Sequence, residues 1–264
     1  MEALNIFFFP LLACVLLILI HSYFGIHILE RGIIFVDLSL AQLIGVGIAF
    51  SLLFGHDVTD KYLFSIIFAV LGALVLSFSR QIGKFTNIEA FIGVLYIFSF
   101  AASILILDRT PHGLEEFKTI LNGNIIWVGQ KDVAQAFALY IAIGIFHYIF
   151  RKKFFALSAD GTGGFLWEFL FFLSFAMVLV KSVQMAGILQ VFSFLIIPAL
   201  IGKLFTDKPV KILLLGWSLG LLSTLFGLTA SYKWDLPAAP LIVASLSIMF
   251  FLSLIAKAIC KKSR

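Results

Sequence analysis

Charge is scarce in this chain. Only 12% of its 264 residues are Asp, Glu, Lys or Arg, against roughly 25% in ordinary soluble domains, and a surface so poor in charge excludes a water-soluble globule. Cysteine is scarcer still. Cys14 lies inside the first apolar run and Cys260 in the basic tail, a spacing that builds neither a CxxC metal site nor a disulfide framework. No GxxxxGK[ST] stretch is present to cradle nucleotide phosphates and no HExxH to hold a catalytic zinc, while the GxSxG match GWSLG (Gly216 to Gly220) lies inside an apolar run and not at a strand-to-helix turn, so the sequence offers no motif in the setting these hydrolytic chemistries need. No long polar segment could house a soluble catalytic domain. The opening MEALNIFFFP carries Glu2 but no Lys or Arg; without a basic n-region, the first apolar run reads as a retained helix and not as a cleaved leader.

Hydrophobic residues are what the chain has in excess: 62% of the total, 31 of them Phe, with a mean hydropathy of +1.12. A helix needs about 20 apolar residues to cross the hydrocarbon of a bilayer. By that rule the sequence predicts an all-α, polytopic membrane protein of about nine segments, forming a single domain over 1–264. The segments are Ile6 to Ile28, Ile33 to Phe54, Tyr62 to Ser79, Ile88 to Leu107, Val133 to Phe150, Phe165 to Val180, Met185 to Ile201, Ile212 to Ala230 and Ala238 to Ala256. The sixth and seventh could be continuous, but Phe165 to Gly202 would then run about 57 Å as a straight helix. A break over Lys181 to Gly187 (KSVQMAG) is expected instead, making a short hairpin or a re-entrant pair.

Lys and Arg accumulate in cytoplasmic loops. With the N-terminus outside and the C-terminus cytoplasmic, thirteen of the 19 basic residues fall on the inner side. The formal charge of +5 therefore needs no nucleic acid to explain it, although contact with anionic membrane lipid is consistent with it. The outer segments are net acidic, which draws cations towards them.

Ionisable side chains inside a bilayer are costly and usually face a cavity, a partner or a substrate. Asp37 is the clearest, one turn into the second segment and followed by Ser39 and Gln42 in RGIIFVDLSLAQ; the plainer reading is a helix-end carboxylate paired with Arg31 or Lys84. His21 and His27, six apart, do not share a helical face and read as buried, hydrogen-bonded imidazoles. The outer stretch DRTPHGLEEFKTILNGNIIWVGQKD gathers Asp108, His112, Glu115 and Glu116. A helix starting near Pro111 would set His112 beside both glutamates at i, i+3 and i+4, N and O ligands that suit zinc or manganese. The alternative is an amphipathic helix whose Phe117, Ile120 and Leu121 face lipid.

The blocks YFGIHILERGIIFVDLSLAQLIGVG, TPHGLEEFKTILNGNIIWV, SVQMAGILQVFSFLIIPALIG and SYKWDLPAAPLIV resemble, in order, segments of the zinc/manganese-type metal ABC permeases, the ZnuB-like family. The resemblance implies a bacterial inner-membrane permease working as a homodimer, with a separate cytoplasmic ATPase subunit and an external metal-binding protein. It implies no permanent cofactor, with a divalent metal as cargo. The chain itself would then transport and not hydrolyse. Asp37, Ser39 and Gln42 would line the path, with Asp37 and His112 as metal ligands. The family's GDALSHA places Asp and His at i, i+4, and aligning it on FVDLSLAQ sets Asp37 at the Gly and Gln42 at the His. The coupling loop to the ATPase falls on Arg151, Lys152, Lys153, Ser158, Asp160 and Thr162. Gly161, Gly163 and Gly164 follow there, at about 1 kcal/mol each against a regular helix, so an abbreviated coupling element is expected. A gradient-driven secondary transporter and an intramembrane enzyme using His21, Asp37 or Glu168 are the rival readings.

Overall fold

The computed structural model describes residues 2–54, 58–159 and 163–262, and they are helical throughout, with no strand among the described residues. In hydrocarbon every backbone N–H and C=O must be satisfied within its own segment, which leaves an apolar chain little choice but the helix. The elements run α1 (Glu2–Arg31), α2 (Val36–Leu53), α3 (Val58–Ser77), α4 (Ser79–Ile82), α5 (Ile88–Leu107), α6 (Gly113–Asn122), a 3₁₀ turn (Ile125–Trp127), α7 (Gln130–Ile149), α8 (Arg151–Ala159), α9 (Gly164–Phe205), α10 (Pro209–Trp234) and α11 (Ala238–Lys262).

The expected count of about nine spans is corrected here. Among the described residues seven helices are long and apolar enough to cross a membrane: α1, α2, α5, α7, α9, α10 and α11. The third expected segment yields only a shorter apolar helix, Lys61–Ser77. The sixth and seventh meet without a loop as the two arms of α9, and the break between them is a single non-helical residue, Gly187, at φ 73° and ψ 167°, the last residue of the stretch where a break was expected. One glycine thus does what the KSVQMAG stretch was expected to do with a loop.

The chain divides into two compact units. The first comprises Met1–Leu29, Asn122–Tyr140 and Met185–Arg264, the second Glu30–Leu121 and Ile141–Gln184. In the first, α10 packs along α11, where buried Ser223 donates to the Ile242 carbonyl at 2.9 Å and its hydroxyl meets that of Ser245. Ile26, Ala199 and Ile212 form a core within the same unit. Gly123, in the left-handed region at φ +64°, lies directly on the break in α9: a Cβ there would stand 2.1 Å from the Ala186 carbonyl carbon and 2.2 Å from the Gly187 nitrogen.

The second unit is built around α2, which packs against α3 and α5. Asn87 fixes the start of α5, its side chain accepting from the Ala90 N–H at 3.0 Å in the usual N-cap arrangement. Glu89, two residues on, reaches across to accept the Phe35 N–H at 3.1 Å. Outward positions stay apolar, as in Val94, Ile97, Phe98 and Leu105 of α5 and Leu222, Phe226, Phe251 and Leu252 of α10 and α11, all exposed. Hydrocarbon covers such stripes at no cost, whereas water would not.

Candidate functional site

Asp37 is the second residue of α2, following N-cap Phe35, which makes no side-chain cap. A carboxylate in a first turn is favoured by the positive end of the helix dipole, by about 0.3–1 kcal/mol, far short of what intramembrane burial costs. Only 1% of Asp37 is exposed, and neither carboxylate oxygen has a hydrogen-bond partner. Arg31, one of the basic partners considered for it, is engaged elsewhere, with Glu168 at 2.9 Å.

Ser39 and Gln42, also buried, follow on α2, and the Ser39 hydroxyl is likewise unpartnered. Gly45 lies beside Gln42: a Cβ there would sit 3.5 Å from the Ile120 Cγ2 and 3.8 Å from both the Gln42 Oε1 and the Ser103 Oγ of α5. Ser103 is a member of this group that the sequence reading did not pick out. The signal was available, since Ser99 and Ser103 recur at i, i+4 in an otherwise apolar span and both are buried.

The outer acidic group divides into pairs. His112 adopts a left-handed conformation at φ 61°, so α6 begins at Gly113 and the imidazole stands outside it, not within a helix from Pro111. Its Nδ1 lies 3.5 Å from Glu115 Oε2 with both side chains exposed, while Glu116 pairs with Lys61 at 3.2 Å. Asp108 caps the C-terminal end of α5 and is exposed. The apolar side of α6 packs inward: Ile120 is buried and Phe117 meets Phe100 edge-on at 5.4 Å. Among the described residues no three His, Cys, Asp or Glu side chains converge as a resident metal site would require. His21 is fully buried, its Nδ1 bonded to the Leu17 carbonyl at 2.8 Å, as a structural imidazole would be.

The stretch whose glycines were expected to disfavour a regular helix is helical in its first part. Residues Arg151–Ala159 form a helix, α8, because the glycines fall beyond it and leave RKKFFALSA free to wind. Asp160 and Thr162 lie outside the described residues. Phe154, Leu157 and Ser158 are buried, whereas Arg151, Lys152, Lys153 and Phe155 are exposed. Phe154 stacks on His147 at 4.0 Å and 8° and meets Trp167 edge-on at 5.7 Å. Ser158 therefore faces the protein, not an outside partner.

Intramembrane helices of this number, a buried carboxylate with nothing of the protein to satisfy it, and an amphipathic helix with a basic outer face define a polytopic membrane protein built to pass a polar solute. Residues 4–257 match the ABC 3 transport family, and the chain belongs to it. It is 26% identical over 243 residues to the manganese transport system membrane protein MntC of Listeria innocua, covering 89% of this chain and 85% of that one. Over 236 residues it is 20% identical to the manganese import system permease protein ScaB of Streptococcus parasanguinis, covering 87% and 82%. The solved structure of PsaBC from Streptococcus pneumoniae in complex with Fab superposes with a TM-score of 0.78 at 21% identity, covering 96% of this chain and 93% of that one. Membership of this family makes the chain a transport protein, and the superposition shows that it shares the fold of the PsaBC structure.

Proposed function

We propose that this chain is the membrane-spanning permease of an ATP-binding-cassette importer for a divalent transition metal, with manganese as the first candidate cargo and zinc the second. The observation that carries the reading is Asp37, a buried carboxylate whose two oxygens find no partner in the protein. A carboxylate in that position is stabilised by a passing cation. Ser39 and Gln42, further along the same helix, offer oxygen donors and no imidazole or thiolate, a chemistry that suits manganese better than zinc. The MntC and ScaB names point the same way.

The side of the bilayer follows from charge. Arg31, Arg80 and α8 are joined by hydrogen bonds, so the basic residues Arg31, Arg80, Arg151, Lys152 and Lys153 belong to one side of the second unit. Lys61 and Glu116 pair on its other, more acidic side. The positive-inside rule makes the first side cytoplasmic, so α1 starts outside; with α3 and both arms of α9, on either side of Gly187, crossing as well, the basic tail after Ala256 ends inside, in the inner membrane of a bacterium. A metal-loaded external protein then docks over the acidic side around Asp108, His112 and Glu115. A separate ATPase meets the exposed face of α8, and a second permease copy completes the pathway.

The test is ATP-driven uptake in proteoliposomes holding the chain with its cognate ATPase and binding protein, offered Mn, Zn, Fe, Co and Ni separately. Saturable uptake of manganese that needs ATP is the expected result. Uptake that follows a proton gradient without the ATPase would replace this reading with a secondary transporter.

A further inference from the structure

Two arginines and one glutamate in the second unit form a connection that no transport-path residue accounts for. Glu168, near the start of α9, is buried and receives both guanidinium groups: Arg31 Nη1 donates to its Oε2 at 2.9 Å, and Arg80 Nε donates to its Oε1. Each arginine also holds α8. Arg31 Nε donates to the Ser158 hydroxyl at 3.3 Å, and Arg80 Nη2 donates to the Leu157 carbonyl at 2.8 Å. Leu157 is among the last residues of α8, whose terminal carbonyls lack partners within the helix. A guanidinium is well suited to that end, where it satisfies a carbonyl and meets the negative pole of the dipole.

Thus the C-terminal end of α8 is tied to α9 through two guanidinium groups that share one carboxylate. Arg31 is further fixed by lying 4.1 Å over the centre of the Phe171 ring. The other end of α8 is held differently, by the apolar packing of Phe154 among aromatic rings, the side-chain bond from Arg151 to the Tyr148 carbonyl at 3.2 Å being local. Apolar packing lets a helix slide or roll; forked, charge-assisted hydrogen bonds resist both.

We propose that Arg31, Arg80 and Glu168 form a strut that makes α8 move as one piece with the inner ends of α1 and α9. They are positioning residues: they carry motion from the ATPase-facing helix to the spans, bind no cargo and take no part in ATP hydrolysis. The inference rests on the reading of α8 as the ATPase-facing element. It predicts that weakening the strut separates hydrolysis from transport.

Arg80→Gln is the variant of choice, because Arg80 is the most exposed of the three side chains, at 35%, and its loss leaves Arg31 and Glu168 as a neutral pair. In proteoliposomes of the assembled transporter, ATP hydrolysis should stay within about twofold of wild type while manganese taken up per ATP falls about tenfold, inside the usual range of coupling between sites. Arg80→Lys restores charge but not the fork, so it should recover protein yield without recovering the ratio. A second readout uses the chain alone: in a Cys260→Ser background, maleimide labelling of Ser158→Cys should be slow and should quicken about tenfold when Arg80→Gln lets α8 come away. An unchanged uptake-to-ATP ratio in Arg80→Gln overturns the strut, as does a proportional loss of both activities, which a merely structural role would give. Failure of the transport reading itself looks different: the unsubstituted transporter would then take up no metal on ATP, while the labelling result stands or falls separately.

Discussion

Replacing Asp37 by Asn keeps the side-chain volume and removes the charge. Placing an Asp within a membrane helix costs about 2.5–3.5 kcal/mol on insertion scales, and the first-turn dipole returns about 0.3–1 kcal/mol of that. With both oxygens unpartnered, nothing else in the protein offsets the remainder, but the buried asparagine amide keeps a cost of its own of about 1–3 kcal/mol, so Asp37→Asn should raise the stability of the empty chain by about 1 kcal/mol at most. For a chain of this size that is a rise of a few degrees at most in thermal midpoint. Uptake should move the opposite way. Asn retains one weak oxygen donor but no charge for a divalent ion, and manganese uptake should fall by about one to two orders of magnitude, the change seen when a metal site loses a supporting group. The assay pairs uptake in proteoliposomes with thermal unfolding of the purified chain in detergent. A more stable protein that transports poorly is the expected outcome. A less stable one would mean that the carboxylate holds the fold together, and full uptake would remove Asp37 from the path altogether.

Cys260 is exposed and Cys14 buried; with the C-terminus cytoplasmic, an impermeant thiol reagent should leave intact cells unlabelled and modify Cys260 after permeabilisation, and labelling of intact cells would reverse the topology. The purified chain should neither bind nor hydrolyse ATP, since it has no phosphate-cradling loop, and hydrolysis surviving the removal of contaminants would contradict this. Photocrosslinkers at Phe155 or Lys152, both exposed, should capture the ATPase, while one at buried Ser158 should not; capture from Ser158 alone would mean that α8 presents its other face. Gly123→Ala should destabilise by about 2–5 kcal/mol, combining a left-handed alanine with overpacking, and a thermal midpoint equal to wild type would show that the contact with α9 yields freely.

Long apolar runs were enough to locate the helices but not to fix how many are long enough to cross, and where a local cap exists even their edges follow from sequence: α5 runs Ile88–Leu107 as expected, because Asn87 caps it. The exceptions have physical causes. α9 stays helical across KSVQMAG because only Gly187 leaves the helical region, and the sequence pattern does not distinguish one broken residue from a loop. The helix at Arg151–Ala159 was obscured by glycines that lie after it. Asp37 was visible as a charge within an apolar run, but that Arg31 would bind Glu168, 137 positions away, could not be read from spacing. His112 was placed on a helix because Pro111 starts helices well; its left-handed backbone instead ends the turn before Gly113.

At the break in α9, the contact with Gly123 has no side chain on either side of it. Most contacts in a protein drift gradually, as one residue grows by a methyl and its neighbour shrinks to match. Main chain resting on main chain offers no such exchange, because atomic radii do not mutate. Only insertions, deletions or a refolding of the segment between α6 and α7 can reposition this join, so it is a point where the lineage of the protein has discrete choices and no continuum between them.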